Sequence, residues 1–91
     1  MQQEEFLDSL NQDGFPEPIL VKKLPNGDLS THHHDFEVRA LVIKGSIKIT
    51  INDKANTYLE GQVFHLAFQE THSEQYGPLG VTYLASRKTY S

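Results

Sequence analysis

The sequence predicts an all-β fold, a sandwich or barrel preceded by one short N-terminal helix, and three observations predict it. Ile47, Ile49 and Ile51 alternate with Lys48 and Thr50, the period of a strand with one wet face. The run from Val38 to Ile43 is rich in β-branched residues and too short for a buried helix, so it reads as a strand covered on both faces. Turn signals recur throughout, at Pro25-Asn26-Gly27, Lys44-Gly45, Asn52-Asp53, Glu60-Gly61 and Gly77-Pro78-Leu79-Gly80. Eight or so short strands at that spacing make a sandwich or barrel.

In chain order, residues 2–13 form an amphipathic helix. Phe6, Leu7 and Leu10 are related by three- and four-residue steps, with Glu4 and Glu5 near the start, where carboxylates complement the helix dipole. Asp13-Gly14 ends it, since glycine takes the left-handed conformation without a Cβ clash. Phe15-Pro16-Glu17-Pro18 is a rigid extended connector, because proline lacks the N–H and extends its predecessor. Domain organisation is thus an N-terminal helical arm over 1–15 and a β-domain over 16–91.

Strands follow at Ile19 to Leu24 and Leu29 to His34, then Glu37 to Lys44 and Ile47 to Ile51. Asn52 to Ala55 is hairpin chemistry, with Asn56 to Leu59 pairing back. Val63 to Leu66, Thr71 to Tyr76 and Val81 to Arg87 complete the set.

Composition narrows the function. The chain has 91 residues, 37% hydrophobic and 22% charged, enough for one domain with one modest core. Cysteine is absent, so disulfides, thiolate metal sites and thiol nucleophiles are excluded, and any metal must be held by His, Asp or Glu. A net charge of −4 with only eight Lys and Arg argues against nucleic acid as a partner. The first ten residues carry three acids and no base, and the longest apolar run, Ala40 to Ile43, has four residues. Neither a signal peptide nor a membrane span is expected, and a cytoplasmic protein is. Gly-rich phosphate loops, Ser-His-Asp spacing and paired catalytic carboxylates are not found.

Chemistry concentrates at Thr31-His32-His33-His34-Asp35-Phe36-Glu37, which holds three of the five histidines. In a strand, His32 and His34 share one face while His33 takes the other and faces solvent. Two imidazoles on one face suit one metal ion. The segment Gly27-x4-His32-x-His34 leads through a strand to Gly45, and a second segment reads Gly61-x5-Ala67-x-Gln69-x2-His72.

This pair resembles the two motifs of the cupin superfamily, G-x5-H-x-H-x3or4-E-x6-G and G-x5-P-x-G-x2-H-x3-N, over residues 19–87. Within that superfamily the chain is similar to small single-domain bacterial cupins with an H-x-H-D-F-E-V-R-A-L-V stretch and a Y-G-P-x-G-V-x-Y-L-x-x-R ending. The resemblance implies a double-stranded β-helix, a jelly-roll barrel, and a divalent metal ion held by His32, His34 and His72. Zn, Fe(II), Mn, Ni or Cu would suit such ligands. The family's glutamate position, counted back from Gly45, falls on Val38, with Glu37 one residue early. One step along a strand reverses the face, so either a bulge turns Glu37 to the metal or the site has three histidines only. Ala67, Gln69 and Tyr76 replace the family's Pro, Gly and Asn.

Glu74 and Tyr76 share the face of His72 by alternation and are the candidate acid/base or substrate-binding groups. Arg39 is expected to pair with Glu37, His65 to face outward if Phe64 and Leu66 face the core, and Tyr83 and Phe68 to fill the barrel. The expected ligand is a small polar organic molecule inside the barrel. If the chain is an enzyme, the resemblance implies dioxygenase, isomerase or lyase chemistry. The alternative is a non-catalytic sensing module without metal. A homodimer is expected because Leu41 and Ile43 share a face with Arg39 and need cover from the helix or a second subunit.

Overall fold

The computed structural model describes residues 1–90. Its elements are α1 (Gln3–Gln12), β1 (Ile19–Lys23), β2 (Asp28–His32), β3 (Phe36–Ile51), β4 (Lys54–Leu59), β5 (Val63–Leu66) and β6 (His72–Thr89). All pairings are antiparallel. The two long strands each serve two layers. Residues 81–89 of β6 pair with β1 and with the first half of β3, which also carries β5. Residues 72–76 pair with β2 and with the second half of β3, which also carries β4. Four strands thus face four strands across one core, the jelly-roll arrangement that the resemblance implies.

Six strands replace the expected eight because two expected turns are bends within continuous strands. The β3–β6 register shifts between Val42 and Lys44 and again between Gly45 and Ile47, as bulges do where a sheet folds over. Gly45 and Gly80 adopt φ of +80° and +73°, and a Cβ on Gly45 would lie 2.1 Å from the Gly80 carbonyl oxygen. Only glycine permits that approach. The bend also changes which residues point inward: Val38, Ala40 and Val42 before it, Ile47 and Ile49 after it. In β6 the switch runs from His72, Glu74 and Tyr76 to Val81, Tyr83 and Ala85.

The hairpin between β3 and β4 turns on Asn52 and Asp53, both at positive φ, with Ile51 opposite Lys54. That is a two-residue turn whose twist matches the strands. Tyr83 fills the core as expected, edge-on to Phe64 at 5.3 Å. Phe68 does not: it is 43% exposed and meets Tyr90 on the surface.

Helix α1 lies on the outer face. Glu5 Oε1 accepts from the Gln2 backbone N–H at 3.2 Å. At the other end Phe15 N–H reaches the Leu10 carbonyl and Gly14 N–H the Asn11 carbonyl, a Schellman stop with Gly14 at φ +75°. Phe6 and Leu10, with Phe15, bury Leu41 beside Ile43, Val63 and Leu84. Of the two covers expected for this apolar face, the helix or a second subunit, the helix supplies one. Arg39, expected to pair with Glu37, instead reaches Asp13 at 2.6 Å and lies over the Phe15 ring at 4.5 Å. A cation there also complements the helix C-terminus. No helix among the described residues is long and apolar enough to cross a membrane.

Candidate metal centre

β2 ends at His32, which lies directly opposite His72 at the start of β6. His34 follows in the short connection to β3 and begins the inward row that continues through Phe36 and Val38. The connection is held by Gln69, whose backbone N–H donates to the His34 carbonyl at 2.9 Å and whose side chain donates to Asp35 at 3.0 Å. Gln69 has φ +58°, a conformation glycine adopts without strain, where the family motif carries glycine.

These elements bring together His32, His34, His72 and Glu74, with one ligand atom from each within 4.8 Å of all the others. Ring centroids lie 4.3 Å apart for His32 and His72 and 4.8 Å apart for His32 and His34. The Glu74 Oε2 atom is 3.0 Å from His72 Nε2 and 3.5 Å from His32 Nε2. Tyr76 donates its hydroxyl to Glu74 Oε1 at 3.1 Å. His72 and Glu74 are only 2% and 7% exposed.

The second nitrogens of two rings define their state. His32 Nδ1 lies 2.6 Å from the Ser30 carbonyl and His72 Nδ1 lies 3.0 Å from the Glu70 carbonyl. A carbonyl only accepts, so both Nδ1 atoms carry the proton and both Nε2 atoms turn to Glu74. Nε2 of His32 is buried without a hydrogen-bond partner among the described residues. A lone pair facing a carboxylate is repulsive unless a positive charge sits between them. For His72 a proton supplies that charge: burial pushes its pKa down, but the Glu74 and Glu70 hydrogen bonds outweigh burial and the net shift is upward. Burial pushes Glu74 up, while the His72 and Tyr76 hydrogen bonds bring it to a net value below the ordinary range. His34 is lowered, by burial first and then by its two imidazole neighbours. The orphaned nitrogen, the buried carboxylate and the oriented imidazoles fit a divalent ion.

Glu37, expected as the alternative carboxylate ligand, is not in this group. No bulge follows His34, so Glu37 keeps its outward phase on β3, opposite Lys88. There it accepts hydrogen bonds from Tyr90 and His65, and the Tyr90 bond, then the His65 bond, lower its pKa. Val38 points inward at the family's glutamate position and is buried in the core. The carboxylate comes from Glu74, two residues beyond His72. Alternation places Glu74 on the face of His72, but only the pairing of β2 with β6 shows that it also meets His32. His65 faces outward as expected, between the buried Phe64 and Leu66.

A cavity of about 40 Å³ adjoins the group. Phe36, Phe64, Leu66 and Tyr83 wall it, His34 and Glu74 bound it, and Arg87, a residue the sequence reading passed over, also lines it. A larger hollow of about 440 Å³ lies outside the barrel between α1 and Leu84, away from the histidines.

No protein-family model and no curated protein matches the chain. Solved structures do. A cupin superfamily protein from Desulfitobacterium hafniense is 15% identical, with a TM-score of 0.69 over 78% of this chain and 64% of its own. The cupin domain of Schizosaccharomyces pombe Cnp3 is 14% identical, with a TM-score of 0.71 over 84% of this chain and 64% of its own. Bacillus subtilis oxalate decarboxylase, which has Mn(II) centres, is 21% identical, with a TM-score of 0.70 over 81% of this chain and 22% of its own. This chain thus spans somewhat less than two thirds of the first two. Likeness at such identities reports backbone architecture, and on that measure the chain has the cupin fold.

Proposed function

We propose that this chain is a metal-binding cupin that binds or transforms a small polar organic molecule in its barrel. His32, His34, His72 and Glu74 hold the divalent ion. The observation that carries this reading is the buried Nε2 of His32, without a hydrogen-bond partner among the described residues and 3.5 Å from the Glu74 carboxylate. Three imidazoles and one carboxylate suit Zn, Fe(II), Mn, Ni or Cu, and the carboxylate favours Fe(II) or Mn. When bound, the ion would act as a Lewis acid toward a ligand oxygen or activate water or O2.

The chain's own groups divide the remaining work. Ser30 and Glu70 carbonyls fix the ring orientation of His32 and His72. Tyr76 holds Glu74 in place, and burial, then the neighbouring carboxylate, keep its phenol protonated well above the ordinary range. In this reading it serves as a positioning residue for Glu74, in place of the acid/base or substrate-binding role expected from alternation. Glu74 joins the ligand set instead of moving protons. The apolar walls exclude bulk water from one side of the site.

The test is metal titration of the full chain, freed of metal by chelation, against Zn(II) and Mn(II), with His72→Ala beside the wild type. One ion per chain, lost in the variant, supports the reading. No binding at equimolar supply contradicts it and leaves the metal-free sensing module, in which the proton on His72 satisfies Glu74.

A further inference from the structure

Arg87 continues the inward-phased row of β6 after Tyr83 and Ala85 by alternation, and it is exposed at the rim. Its guanidinium carbon lies 5.3 Å from the Phe36 ring centroid. Phe36 in turn stacks on His34 at 4.8 Å with an 11° interplanar angle. A cation, a phenyl ring and a candidate ligand imidazole therefore form one column leading into the site.

The same cavity is lined by Arg87, His34, Glu74 and Tyr83. Among the described residues no carboxylate pairs with Arg87: the four ion pairs present involve His32, Arg39, His65 and His72. Glu37, which lies opposite Lys88, the residue after Arg87 on β6, is engaged on the opposite face of β3.

We infer that Arg87 anchors the carboxylate of the ligand, and that the ligand is a short carboxylate with a second oxygen donor: a dicarboxylate, a hydroxy acid or a keto acid. This deepens the proposed function and rests on it for the second donor. A planar guanidinium matches a carboxylate through two parallel hydrogen bonds. A divalent ion with one carboxylate ligand leaves the site positive, and Arg87 adds to that charge, so an anion is favoured over a neutral molecule. The cavity of about 40 Å³ holds only a few non-hydrogen atoms, so a short ligand enters it at one end while its Arg87-bound carboxylate sits at the exposed rim, and the aromatic and aliphatic walls offer nothing to a bulky polar head such as a phosphorylated sugar.

The test is calorimetric titration of the full chain, with and without Zn(II), against oxalate, malonate and succinate, with malonamide and inorganic phosphate as comparators. At least one dicarboxylate is expected to bind, more tightly than malonamide and phosphate. Arg87→Met should weaken it by about tenfold to a hundredfold without changing Zn(II) affinity, and Arg87→Lys should fall between. Equal dicarboxylate affinity in wild type and Arg87→Met, or no binding of any of the three, overturns the inference. So does phosphate or malonamide binding as tightly. Zn(II) titration without any anion reports separately on the metal site, so the two failures are told apart.

Discussion

Tyr76→Phe removes one oxygen from a buried position and leaves the ring in place, so its effect isolates a single hydrogen bond. The hydroxyl lies 3.1 Å from Glu74 Oε1, and that carboxylate is 7% exposed, so water cannot replace the lost donor. A hydrogen bond to a charged group contributes about 1.5–3 kcal/mol. For a domain of this size that lowers the melting temperature of the metal-free protein by roughly 6 to 24 °C. Metal binding supplies a second measure. Loss of a group that orients a metal ligand costs about tenfold to a hundredfold in affinity, or about 1.4–2.7 kcal/mol, which agrees with the hydrogen-bond figure. The assay is thermal unfolding without metal, followed by Zn(II) competition against a chelator of known affinity. If both stability and Zn(II) affinity match the wild type, Tyr76 does not position Glu74 and the assignment of that carboxylate fails with it.

Three further perturbations probe the parts that hold the site in place. Gly45→Ala places a Cβ 2.1 Å from the Gly80 carbonyl oxygen at φ +80°, so strain of about 1–3 kcal/mol plus the clash should move the urea midpoint well below wild type; an unchanged midpoint contradicts the corner geometry. Phe6→Ala empties a fully buried position under Leu41 and should cost about 3–5 kcal/mol, against a total of about 5–14 kcal/mol for a chain of this length. Rapid proteolysis within α1 would report the undocked arm, and wild-type resistance would contradict the packing. Glu37 has a pKa below its ordinary value near 4.5, so its stabilisation is complete above that value and is lost as pH falls through the lower folded value. The stability gap between wild type and Glu37→Gln should therefore close on acidification below about pH 4.5, and a gap constant from pH 7 to pH 3 contradicts the Tyr90 and His65 contacts.

Strand positions were legible because alternation is local: Ile47, Ile49 and Ile51 declare a face without reference to any other element. The bend at Gly45 was legible only as punctuation, since a turn and a bulge use the same residue, and the two differ in what crosses nearby. Here Gly80 crosses, and the inward phase switches as a result. Three histidines of the site were readable from spacing and resemblance. The carboxylate was not, because the family motif pointed at Val38 and its neighbour Glu37 and left a three-histidine site as the alternative, whereas Glu74 reaches the site through the pairing of β2 with β6. Arg39 misled for the same reason. Its partner Asp13 is 26 residues away, brought in by a helix whose docking no strand pattern encodes. Arg87 was not singled out because Phe36 and His34 meet it only across the folded barrel.

The account rests on four side chains forming one metal centre, with Glu74 and not Glu37 as its carboxylate. Zn(II) stoichiometry and affinity in the wild type, Glu74→Gln and Glu37→Gln test this most directly. One ion per chain in the wild type, wild-type affinity in Glu37→Gln and a fall of at least tenfold in Glu74→Gln are predicted. Weakening by Glu37→Gln with Glu74→Gln unaffected, or no stoichiometric ion in any of the three, would contradict it.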